Sequence, residues 1–153
     1  MALLLVRKGI YGVQYDSNYY TERISCLKKG MYQVFGASVL LVKEQIDFSK
    51  RGYFKLTFRY LPSNYIFIIE NEIRLFNIFI YDEEGANISL YRIEEYNNNL
   101  DDMKNINYAI NLLFNVLRED KFFLYLKKDG KYYKKTSAGT FVIKNMLEEL
   151  YGR

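Results

Sequence analysis

Residues 53–61, YFKLTFRYL, alternate strictly, with Phe54, Leu56, Phe58 and Tyr60 on one face and Lys55, Thr57 and Arg59 on the other. A period of two over this length predicts a half-buried strand. Pro62, Ser63 and Asn64 then supply turn chemistry. The stretch that follows, YIFIIENEIRLFNIFIYDEEG at 65–85, is dense in Ile, Phe, Tyr and Leu and is broken by Glu70, Asn71 and Glu72. Two strands are expected there, about 65–70 and 73–81. The second is apolar on both faces, Ile73, Leu75, Phe79 and Tyr81 against Phe76, Ile78 and Ile80, which predicts a central strand covered on both sides. DEEGAN at 82–87 reads as a turn, and ISLYRIEE at 88–95 resumes a strand pattern, so the middle of the chain is an antiparallel meander.

At Leu100 the period changes. Leu100, Met103, Ile106, Ile110, Leu113, Phe114 and Leu117 recur at spacings of three and four, which predicts a helix capped by Asn98 or Asn99, with Asp101 and Asp102 in its first turn,. FFLYLKK, Asp129-Gly130 and KYYKKT form a hairpin signal, because Asp-Gly accepts the positive φ angles of a two-residue turn. A last helix is expected over about 140–151, with Ile143, Met146, Leu147 and Leu150 docking on the sheet and Gly152 past its end. In the first fifty residues LLLV and GIYGVQYD suggest short strands. A helix within 31–46 would turn Phe35, Val39, Val42 and Ile46 inward, and Gly36 with the β-branched residues admits a strand there as well.

The fold class that follows is α+β: a single domain with a central antiparallel β-meander (about 53–95), a C-terminal β-hairpin (about 121–136) and two or three helices packed against them. A length of 153 residues suits one core,. No uncharged run is longer than residues 30–42, which is too short and too polar to span a bilayer, and the start MALLLVRKG lacks the charge order of a secretory signal,. With Cys26 as the only cysteine, a reducing, cytoplasmic setting is the simpler expectation,.

The chain has no histidine, which removes imidazole-dependent hydrolase mechanisms and the commonest nitrogen ligand for transition metals,. Neither GxGxxG nor GxxxxGK[ST] occurs, so no phosphate loop is expected, nor any cofactor,. An enzyme reading retains only carboxylate, Lys, Tyr or carboxylate-bound Mg²⁺ chemistry. Asp82, Glu83, Glu84, Glu94, Glu95, Asp101 and Asp102 offer the oxygens, but with no DxD or EF-hand spacing among them the expected metal site is none,.

Charge is segregated along the chain. The net +4 divides into +4 for residues 1–52, −5 for 53–120 and +5 for 121–153. Those seven carboxylates form the acidic extreme and make a candidate surface for a protein partner. The basic extreme interleaves Lys127, Lys128, Lys131, Lys134 and Lys135 with Tyr125, Tyr132 and Tyr133, a pattern suited to single-stranded nucleic acid or an acidic partner. Lysines on an edge strand also serve simply to block pairing with other chains. The function expected is therefore a non-catalytic binding protein that occludes a partner, a toxin or effector domain, as immunity proteins and antitoxins do. Nucleic-acid binding through the Lys/Tyr hairpin ranks second and a carboxylate-dependent enzyme third.

Overall fold

The computed structural model describes residues 17–119 and 122–152. Helix α1 (Ser17–Phe35) leads through a 3₁₀ turn (Gly36–Ser38) into β1 (Val39–Asp47), β2 (Tyr53–Tyr60), β3 (Tyr65–Glu72), β4 (Leu75–Tyr81) and β5 (Asn87–Ser89). A single helical turn α2 (Leu90–Ile93) and the long helix α3 (Met103–Arg118) follow. The chain continues as β6 (Leu124–Lys128), β7 (Lys131–Thr136), β8 (Gly139–Ile143) and α4 (Met146–Tyr151). All eight strands lie in one sheet in chain order, every neighbouring pair antiparallel. The meander, the hairpin and the α+β class are as the residue pattern predicts.

The core lies between one face of this sheet and the two long helices. Phe54, Leu56 and Phe58 of β2, Phe67 and Ile69 of β3 and Phe76, Ile78 and Ile80 of β4 are essentially inaccessible to solvent. Against them α1 sets Tyr20, Ile24, Leu27, Met31 and Phe35, and α3 sets Ile106, Ile110 and Leu113. Phe35 stands at the junction, its ring 5.5 Å from those of both Phe67 and Phe114. The helices approach closely at Gly30, where a Cβ would lie 2.6 Å from Ile110 Cδ1.

Five expectations need correction. The helix placed within 31–46 instead occupies Ser17–Phe35, and Val39, Val42 and Ile46 belong to β1. Gly36, at φ +58°, ends the helix because a residue without a Cβ enters the left-handed region freely,. The strand read over 88–95 ends at Ser89 and turns into α2. The turn between β3 and β4 falls at Ile73 and Arg74, so Glu70, Asn71 and Glu72 are strand residues. Helix α3 begins at Met103 and is capped by the Asp102 side chain, which accepts from Lys104 N–H at 2.8 Å; Asn99 instead accepts from Asp101 N–H, one turn upstream.

The expected helix over 140–151 is two elements. Residues 139–143 pair with β7 across the two-residue turn Ser137–Ala138, and only Met146–Tyr151 are helical, capped by Asn145. The face that α4 turns to the sheet carries Met146, Glu149 and Leu150, while Leu147 is 71% exposed. The strands expected in LLLV and GIYGVQYD lie outside the described residues.

Candidate functional site

Antiparallel register fixes which side chains share a face, since directly opposed residues point the same way. On the side away from α1 and α3, one row runs Leu40, Arg59, Ile66, Tyr81, Asn87, Tyr125, Lys134 and Phe141 across the sheet. Parallel rows place Lys43, Thr57, Ile68, Phe79 and Ser89 together, and Gln45, Lys55, Glu70 and Asn77 together. Ile66, Ile68, Phe79 and Tyr81 form an apolar centre on this face, half-buried and outside the core cluster. Coverage of β4 on both sides, expected from its sequence, is met by the long helices on one side only.

Cations flank that centre. Lys43, Lys55 and Arg59 on β1 and β2 make no ion pair among the described residues. The carboxylate within the three rows, Glu70, accepts from Tyr53 Oη at 3.4 Å. At the far side α4 closes the face as a low wall: Glu149 accepts from Lys134 Nζ at 2.8 Å and from Tyr125 Oη at 3.4 Å. The face thus has an aliphatic and aromatic centre, cations on the β1–β2 side and α4 on the β6–β7 side.

The seven carboxylates of the acidic block do not form one surface. Asp82, Glu83 and Glu84 sit in the β4–β5 turn, just beyond Tyr81, whereas Asp101 is ion-paired at 2.8 Å to Arg74, just before Leu75. The length of β4 separates them by about 20 Å, at about 3.3 Å per residue. Asp82 accepts from the Glu84 and Ala86 amides and shapes its own turn. Asp101 also accepts from Tyr19 Oη at 3.0 Å, Asp102 caps α3, and Glu94 accepts from Tyr108 Oη at 3.3 Å. Glu95 lines a shallow surface depression with Tyr96 and Lys104. No three of the described His, Cys, Asp or Glu residues gather closely enough to hold a metal ion, and no described helix is long and apolar enough to cross a membrane.

The basic hairpin divides in the same manner. Lys135 bridges to Asp82 and, at 2.7 Å, to Glu84, so the sequence's acidic and basic extremes neutralise each other in part. These two carboxylates hold the Lys135 ammonium pKa above its ordinary 10.5, Asp82 contributing most. Lys134, besides its bond to Glu149, lies 4.2 Å over the Phe123 ring. Tyr133 is half-buried in register with Leu126. What remains exposed is the tip: Lys127, Lys128 and Lys131 around Asp129 and Gly130, with Lys127 over the Tyr132 ring at 5.4 Å.

The open face itself was missed in the sequence. Its signal was present: Phe79 and Tyr81 alternate with the core residues of β4, and Lys55, Thr57 and Arg59 with those of β2. Comparison with protein-family models, curated proteins and solved structures finds no match to this chain.

Proposed function

We propose that this chain is a non-catalytic binding protein that neutralises a partner protein by covering its working surface, in the manner of immunity proteins and antitoxins, and that it does so with the open face of its sheet. The observation that carries the reading is the apolar centre of Ile66, Ile68, Phe79 and Tyr81 beside Lys43, Lys55 and Arg59, which make no ion pair among the described residues. A flat aliphatic and aromatic patch supplies desolvation energy, and its rim of charge selects the partner and steers it. The partner's contacting surface is accordingly apolar with an acidic margin. The single, half-buried Cys26 suits a cytoplasmic setting,.

The test is purification from the native host. A stoichiometric protein should accompany the wild-type chain, be lost with Ile68→Asp and with the double change Lys55→Glu and Arg59→Glu, and be retained when Lys127, Lys128 and Lys131 become Ala. Circular dichroism melts establish that the variants fold. A chain that emerges alone, or a partner insensitive to both face variants, rejects the reading.

One observation favours nucleic acid as a second reading, namely the three exposed lysines and Tyr132 at the tip of the β6–β7 hairpin. Retention on oligonucleotides should then fall steeply with salt and disappear in the triple alanine variant. No retention at low salt removes it.

A further inference from the structure

The two edges of the sheet are finished differently. At the β1 edge the Leu41 N–H donates to Tyr32 Oη at 3.0 Å, a bulge interrupts the register between Leu41 and Lys43, and Lys43 and Glu44 put charge on the strand. Bulges, charge and capped amides are ways a sheet avoids adding another chain. Among the described residues the β8 edge has none of these. Residues 136–143, TSAGTFVI, carry no charge, and Phe141 and Val142 are 53% and 54% exposed.

The turn geometry fixes which way the backbone of β8 points. Thr136↔Gly139 closes the two-residue turn Ser137–Ala138 and is therefore a hydrogen-bonded pair,. Gly139, Phe141 and Ile143 consequently address β7, and Thr140 and Val142 turn their N–H and C=O groups outward.

We infer that β8 is a self-association edge at which a second copy of this chain adds antiparallel, β8 against β8, with the two-fold axis at Phe141. This register makes Thr140↔Val142 and Val142↔Thr140 the hydrogen-bonded pairs between copies, so each outward donor meets an outward acceptor. It sets Ile143 opposite Gly139 and Val142 opposite Thr140, large against small, and brings no like charges together. The eight-stranded sheet becomes a sixteen-stranded one. Two five-residue strands with the Phe141 pair at their centre make a contact well below the roughly 1,000 Å² of a permanent interface, so the dimer is reversible and concentration-dependent.

Sedimentation velocity on the full chain, from micromolar to millimolar concentration, is expected to show a monomer–dimer equilibrium. Val142→Pro should abolish it while leaving the fold intact, because the deleted N–H points away from β7; Val142→Lys should do the same by charge repulsion and desolvation. In a Cys26→Ser background, Phe141→Cys should form an intermolecular disulfide on mild oxidation, since non-hydrogen-bonded antiparallel pairs bring Cβ atoms to about 4.5–5.5 Å. Amide exchange at Thr140 and Val142 should slow as concentration rises. A chain that stays monomeric into the millimolar range overturns the inference, as does a dimer that Val142→Pro and Val142→Lys leave intact.

Discussion

At the scale of single residues, the most constrained part of the molecule is the sheet end where the β1–β2 and β3–β4 turns meet. Asn71 is fully buried and donates from Nδ2 to the carbonyl oxygens of Gly52 at 3.0 Å and Ile73 at 3.2 Å, tying the two turns together. Arg51 and Glu72 pair above it at 2.9 Å. Gly52 lies at φ +70°, and a Cβ there would stand 2.1 Å from Tyr20 Cζ, overlapping the hydroxyl end of the side chain. Gly52→Ala combines a left-handed backbone penalty with overpacking and should cost about 3 kcal/mol, read as a lowered urea midpoint at unchanged slope. Ile73 presents the opposite case. It is a β-branched residue at φ +61° whose amide donates to Arg51 O at 2.6 Å. Asn tolerates that conformation, and the Ile73 side chain is 37% exposed, so Ile73→Asn should stabilise the protein by about 0.5–1 kcal/mol in the same assay. Equal or lower stability would mean that the exposed isoleucine contributes more by packing than its backbone costs.

At the scale of elements, the alternating strand β2, the apolar runs of β3 and β4 and the helix α3 were legible, as was the Asp129-Gly130 hairpin. What was not legible shares one cause: a hydrophobic period that runs unbroken across an element boundary. Tyr20, Ile24, Leu27, Met31 and Phe35 are spaced for a helix, and Val39, Val42 and Ile46 continue the spacing into a strand. Only the positive φ of Gly36 marks the stop. Ile143, Met146, Leu147 and Leu150 mimic a helix in the same way, although pairing with β7 claims the first of them. Charge misled for a related reason. Asp82 and Asp101 are neighbours in a count along the chain but lie at opposite ends of β4, and Asp82 is bound to Lys135, 53 residues away. That bridge carries a pH signature. A folded-state pKa above 10.5 means its stabilisation is complete below the unfolded lysine value and is lost as pH rises through the folded one,. The wild-type chain should exceed Lys135→Met by about 1 kcal/mol near neutral pH, and the gap should close as pH rises through the raised lysine pKa,. Thermal melts of both chains across that range measure it, and a gap independent of alkaline pH would assign the effect to packing of the lysine stem.

At the scale of the whole molecule, the sheet has a narrow waist. Strands β2, β3 and β4 share seven registered pairs at each junction, whereas β5 and β6 share one, Asn87↔Tyr125. Beyond the waist, β6, β7, β8 and α4 are fastened by the burial of Leu124 and Leu126, the Lys135 bridge to the β4–β5 turn, and the Arg92 guanidinium 5.6 Å over the Tyr151 ring. With one registered pair at the waist, two buried apolar side chains, and Phe122, Phe123, Tyr125 and Tyr133 only partly buried against the core, this region is expected to open below the global unfolding free energy,. Native-state hydrogen exchange should therefore resolve two units. Amides within the β6–β7 ladder should exchange through a sub-global opening, and those of β2–β4 only through global unfolding. Lys135→Met should accelerate the first group about fivefold, the effect of about 1 kcal/mol, and leave the second within error. Uniform protection across both groups would make the sheet one cooperative unit and the waist a feature of pairing alone. If two units are resolved, the open face keeps its apolar centre on the fixed strands β3 and β4 while α4 is carried on the part that yields. A partner entering the open face could then displace α4 by breaking its Glu149 contacts to Lys134 and Tyr125 without unfolding the core. Partner binding would accordingly change exchange in β6–β7 as well as on the face it covers.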